Sequence, residues 1–165
     1  MAKVNLTAAR LRELLSYDEN TGIFIWQVST GRVKPGTVAG NPNHGHVRLQ
    51  IDGSEYWAHR LAWLYAYGVW PTQQIDHING IRSDNRILNL RDVSHSANQQ
   101  NQRRPQSDNK TSSYLGVSWR TRSNRWRATI TVNGKQKDIG LFDTEIEAHE
   151  AYKVQKRILH PGCTI

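Results

Sequence analysis

Between Ile75 and Asn98 the chain reads IDHINGIRSDNRILNLRDVSHSAN, and this stretch concentrates the residues that could do chemistry. An Asp-His pair, Asp76-His77, is followed by Asn79, Asn85, Asn89 and Asn98. Asparagine packs poorly in cores, but its amide pins loops by hydrogen bonds and offers a neutral oxygen to a metal. A neutral imidazole can take a proton from water near pH 7. A carboxylate and an amide oxygen suit a hard divalent cation, which neutralises charge on a phosphate and helps an alkoxide leave. Phosphodiester hydrolysis needs those three services together. The expected assignment gives His77 the general base role, Asp76 and Asn98 the cation, and Asn89 the loop that keeps His77 aimed. His95 and Asn101 are rival donors near Asn98.

The elements that must position these groups follow from local pattern. Ile75–Ile78 reads as a short strand before an Asn79-Gly80 turn. A second strand or loop covers 81–90, anchored by Ile87 and Leu90, and a helix capped by Ser94 carries Asn98. Neighbours on a strand point to opposite faces, so Asp76 and His77 share a site only if the strand ends or twists there. Upstream, 5–17 has leucines at helical spacing, 18–22 is a turn and 23–28 a strand. The segment 30–45 is a Gly/Pro/Asn-rich loop. His46–Asp52 alternates as a strand, Asp52-Gly53 turns a hairpin, and 59–68 is a helix ended by Gly68. His44 and His46 are expected at the surface of the loop. His59 is expected to pack or to meet a phosphate, and His149 and His160 to be structural.

The 165-residue chain carries a formal charge of +8. Residues 103–137 hold nine basic side chains against Asp108 alone, so the excess is local. A basic segment interleaved with Trp119 and Trp126 points to a polyanion, first of all duplex DNA. Residues 99–113 contain no apolar side chain and predict a helix tail and linker. Beyond them three strands, with an Asn133-Gly134 turn, precede a helix capped at Asp143 or Thr144. Arg125, Arg127 and Thr129 alternate with Trp126, Ala128 and Ile130, which assigns the arginine face to DNA and the tryptophan face to the helix. Arg103 and Arg104, from the linker, and Arg120, Arg122, Lys135 and Lys137 complete the expected DNA-binding set. A lone cysteine, Cys163, excludes a disulfide framework and a structural zinc built on cysteine pairs. No apolar run is long enough for a membrane span, and the N-terminus lacks the pattern of a secretory signal. The expected setting is the cytoplasm of a bacterial or phage-infected cell.

D-H-x-N-G, D-N, N-L-R and an asparagine nine residues after Asn89 together resemble the HNH endonucleases, whose fold is the ββα-metal motif. Within that family the chain looks closest to phage homing endonucleases in which the last metal ligand is Asn. AHRLAW upstream fits as well. The resemblance implies Asp76 and Asn98 as metal ligands, His77 as general base and Asn89 as the middle Asn, with one divalent ion, Mg2+ or Mn2+. Many relatives carry four cysteines around a zinc, and this chain does not. Tyr114-Leu115-Gly116-Val117, Trp126-x-Ala128-x-Ile130, Gly140-x-Phe142 and the helix at 147–152 resemble the Apetala-two/ethylene-response-factor DNA-binding domain, which implies a sheet in the major groove. Leu115 and Ser118 depart from that family where plant sequences often have Arg.

The expected fold class is therefore α+β. An HNH nuclease domain at 1–104 leads through a linker at 105–112 to a three-stranded antiparallel sheet packed on one helix at 113–165. The function it implies is site-directed, metal-dependent DNA cleavage of the homing type, by a monomer without a small-molecule cofactor. The alternative is a DNA-binding regulator with an inactive HNH fold.

Overall fold

The structure, a computed structural model, describes residues 6–31, 33–103, 105 and 109–164. The described residues form a mixed α/β chain with several small antiparallel sheets and four helices. It divides into two compact units, 1–94 and 95–165.

In the first unit α1 (Ala8–Leu14) is capped by Thr7, whose hydroxyl accepts from the Arg10 amide at 3.1 Å. The helix stops earlier than leucine spacing predicts. Leu15 turns extended and starts β1 (Leu15–Asp18), which pairs with β2 (Ile23–Trp26) across the 18–22 turn. Both placements bury Leu15, and pairing with Trp26 decides between them. The loop expected at 30–45 contains a strand, β3 (Asn41–Asn43), recruited by β4 (His46–Ile51). β4 pairs with β5 (Ser54–Trp57) around Asp52 and Gly53, both with positive φ as a tight hairpin turn requires. α2 (Ala58–Tyr67) ends on left-handed Gly68. Leu61 and Leu64 of α2 join Leu11, Leu14, Phe24, Leu49 and Ile51 in the core. That core backs β6 (Gln74–His77) and β7 (Leu90–Val93) through Ile75 and Leu90. A 3-10 turn at Ile87–Asn89 fills part of the segment expected as strand or loop. Among the described residues no helix is long and apolar enough to cross a membrane.

In the second unit α3 (His95–Gln100) is followed by β8 (Val117–Arg120), β9 (Arg125–Val132) and β10 (Lys135–Phe142), with β9 central, and by α4 (Glu145–Leu159). Thr144 and Glu147 close a capping box at the start of α4. Val117, Ala128 and Ile130 pack on Ala148 and Tyr152, so one sheet face is covered by the helix. α3 is tied to the C-terminal end, where the Gly162 amide donates to Gln100 Oε1 at 3.0 Å. Residues 106–108 of the expected linker lie outside the described residues; Asn109 donates to the Val117 carbonyl at 3.0 Å.

Candidate functional site

β6 and β7 place Asp76 opposite Arg91 and His77 opposite Leu90. Consecutive strand residues leave opposite faces, so the two side chains meet different neighbours. Asp76 is buried, and its Oδ2 accepts from Arg91 Nε at 2.8 Å, with Arg91 Nη2 at 2.7 Å. His77, also buried, ends β6, where its Nε2 lies 3.4 Å from Asn85 Oδ1. An amide oxygen only accepts, so this contact holds the neutral ring with its proton on Nε2. The Asp76 charge still reaches the ring, but burial outweighs it and pushes the imidazole below its ordinary value. His77 is therefore neutral at pH 7, as a base must be.

The loop from 78 to 89 is locked by amides. Asn89 Oδ1 accepts from the Asn79 amide at 3.0 Å, and Asn89 Nδ2 donates to Asn79 Oδ1 at 3.0 Å and to the Asp84 carbonyl at 2.8 Å. Asn79 Nδ2 donates to Asp84 Oδ2 at 2.7 Å. Arg86 grips the same carboxylate and, with these bonds, holds it down at about 2. The Ile78 amide donates to the Asn89 carbonyl at 2.9 Å, closing the loop at its base. Asn98 stands on α3 in the other unit, as does His95, and Asn101 follows directly after that helix.

Two histidines expected elsewhere surround His77. His46 is not a loop surface residue but the first residue of β4, half-buried; His59 lies in the first turn of α2 and is buried. Ring centroids are 5.2 Å apart for His46–His59 and His59–His77, and 5.7 Å for His46–His77. A ligand atom from each ring lies within 4.8 Å of the other two. His44 stays exposed in the turn before β4. Local signals for His46 existed in the alternation of β4, which puts it on the face of Arg48 and Gln50. Nothing local could link it to a residue 31 positions on. Asn85 and Arg91 were in the quoted stretch without an assigned role.

Burial lowers the proton affinity of His59 to about 3, and of His46 in the same direction. In the unfolded chain an imidazole titrates near 6.5. Between those values the unfolded state binds more protons, so acid favours unfolding. At about 1.4 kcal/mol per pH unit, His59 alone makes the first unit about 2 kcal/mol less stable at pH 5 than at pH 7. Carboxylates with lowered values act chiefly below about pH 5, outside the range compared. Urea unfolding at the two pH values measures the difference; equal stability would refute the buried neutral state of His59.

The second unit's basic residues divide between the sheet's faces. Arg120, Arg125, Arg127 and Thr129 share the open face by register, with Arg122 in the turn beside them. Lys137 and Lys135 pair with Ile130 and Val132, so they stand on the helix side, though exposed. Arg127 donates to Asp138 Oδ2 at 2.8 Å, and Arg125 lies 2.9 Å from Asp143 Oδ1. Two acids just past the basic segment thus offset part of its charge. Trp126 packs partly into the core and meets Trp119 edge-on at 5.0 Å. Arg103 binds the carbonyl and hydroxyl of Thr164, while Arg104 lies outside the described residues.

Comparison with known proteins gives this geometry a context. Over 79 residues the chain is 37% identical to Protein 3.8 of Escherichia phage T7, covering 47% of this chain and 64% of that protein. The chain thus spans less than two thirds of the length of the curated relative it matches. No solved structure matches it. Residues 56–100, which enclose β6, the locked loop, β7 and α3, match the family described as HNH endonuclease. An HNH endonuclease domain therefore occupies residues 56–100, and it points to nuclease chemistry.

Proposed function

We propose that the protein is a metal-dependent DNA endonuclease of the homing type, cutting at a site chosen by its second unit. The observation that carries this reading is a buried, neutral His77 with its proton held on Nε2, inside the segment that matches the HNH endonucleases. His77 takes the proton from the attacking water. Asn85 fixes the ring, and Asn89 holds the loop on which Asn85 sits. Asp76 and Asn98 would hold one divalent cation, Mg2+ or Mn2+. Their oxygens are the hard donors such a cation takes, and the Asp76 carboxylate is buried, where its charge is little screened. Arg91 already engages Oδ2, so it orients the carboxylate and shares its charge. When bound, the cation supplies charge neutralisation at the phosphate and support for the departing 3′ oxygen. The phage relative supports the cytoplasm of an infected bacterium as the setting, and we take the working form to be a monomer.

The deciding experiment is nicking of supercoiled plasmid with Mg2+ against EDTA. Cleavage that EDTA abolishes supports the enzyme; binding without any cleavage supports a regulator with an inactive fold. Asp76→Ala should lose metal-dependent turnover, by a factor of at least about a hundred. Turnover that still follows Mg2+ in that variant would remove Asp76 from the cation site.

For the second unit we propose an Apetala-two/ethylene-response-factor-like role, with the open sheet face in the major groove. Arg120 and Arg122 are exposed there and reach phosphate without breaking an ion pair of the sheet. Replacing both by alanine should lower the slope of log affinity against log salt by about 0.9 for every phosphate no longer neutralised. An unchanged slope would take DNA off this face.

A further inference from the structure

We propose that His46, His59 and His77 form a second metal site, separate from the carboxylate–amide pair, which takes a borderline transition cation such as Zn2+ and withdraws His77 from catalysis when filled. The first half concerns this triangle alone; the inhibition rests on the nuclease reading above.

The donor set selects the ion. Three imidazoles suit zinc and its neighbours, whereas Mg2+ seeks oxygen and dehydrates reluctantly. The ligand atoms lie within 4.8 Å of one another. Tetrahedral zinc with Zn–N bonds of about 2.1 Å needs them about 3.4 Å apart. Rotation of the rings by an ångström or so closes the difference. Such motion is available because His46 is only half-buried at the start of its strand. A fourth position is left for water or substrate, as in zinc sites with three protein ligands.

One further observation favours a cation. The Nδ1 atoms of His46 and His59 are buried and bond no group among the described residues. Charge near the site is mixed. Arg82 acts against a cation at His46 and His77, while Asp76 and Asp84 favour one at His77. A His77 nitrogen that ligates zinc has no lone pair to receive the proton of water. Free zinc would therefore silence cleavage without displacing DNA or Mg2+.

The test uses the full chain, freed of metal and titrated with Zn2+ by calorimetry. One zinc per chain is expected, with micromolar or tighter affinity. His46→Ala and His59→Ala should each weaken it at least tenfold, since even outer partners of zinc ligands are worth that much. Asp76→Ala should change it less than threefold. X-ray absorption at the zinc edge of the wild-type protein needs no variant and should count three imidazoles. Two or fewer imidazoles, or an affinity that follows Asp76 in place of His46 and His59, overturns the site. In the nicking assay, micromolar Zn2+ should stop Mg2+-dependent cleavage. Zinc bound to three imidazoles with full cleavage would overturn the inhibition. Absence of nicking in any metal would fail the nuclease reading while leaving the zinc result to stand by itself.

Discussion

The His77→Ala protein is expected to bind duplex DNA with near wild-type affinity and to cut it at least a hundredfold more slowly. General-base catalysis by a positioned side chain contributes about a hundred- to ten-thousandfold, and here the position is well determined. The ring ends β6, its Nε2 faces Asn85, and His46 and His59 close on its other sides. Alanine removes the proton acceptor and leaves a small hole at the rim of the core. Asn85 keeps its bond from Nδ2 to the Ser83 carbonyl at 3.2 Å, so the loop keeps its shape. The arginines proposed to hold DNA belong to the other unit. Affinity measured in EDTA by fluorescence anisotropy, beside the plasmid assay, separates binding from chemistry. Wild-type cutting by this variant would sink the base assignment, and loss of both activities would show that His77 acts through folding.

Local pattern made much of this fold legible, and the exceptions have physical causes. The Asp52-Gly53 hairpin, the helix ended by Gly68 and a helix cap at Asp143 or Thr144 are written in neighbouring residues. The structure has all three. Leu14-Leu15 satisfies a helix and a strand equally, and only the partner, Trp26, decides. Asn41-Pro42-Asn43 has little strand propensity and becomes β3 because β4 offers an edge to pair with. At the site, the residue types and spacing of 75–98 carried the HNH resemblance, and the family match covers that stretch. What surrounds His77 was not legible. The triangle joins a strand, a helix and a second strand far apart in sequence, so its members looked like three scattered histidines. The basic segment shows the converse error. Counting charge to Lys137 stops one residue short of Asp138, which the turn folds back beside Arg127.

Gly22→Ala tests whether the β1–β2 hairpin builds the site from a distance, and it should be among the most damaging single changes. Gly22 has φ of +73°, and a Cβ there would stand 2.5 Å from the Arg86 amide nitrogen and 2.6 Å from the Asn85 carbonyl carbon. Both are backbone atoms, so no side chain can swing away. The same hairpin grips this segment twice more. Tyr17 donates its hydroxyl to the Asn85 carbonyl at 2.6 Å, and the Ile87 amide donates to the Glu19 carbonyl at 3.4 Å. Tyr17 is itself stacked on Phe24 at 4.7 Å, so core packing sets where the Asn85 backbone runs. Asn85 in turn aims His77. A left-handed alanine costs about 1 kcal/mol, and forcing two backbones apart brings the total to about 3 kcal/mol. Gly53→Ala is the control. Its φ is +75° but a Cβ would meet nothing within 4 Å, so it should lose only the conformational part. Thermal unfolding should therefore show Gly22→Ala falling about 10 °C and Gly53→Ala about a third of that. Cleavage should drop in the first far more than in the second, because only the first moves Asn85. If the two variants matched in both stability and rate, the hairpin would have no hold on the loop, and the aim of His77 would have to come from within residues 78–89.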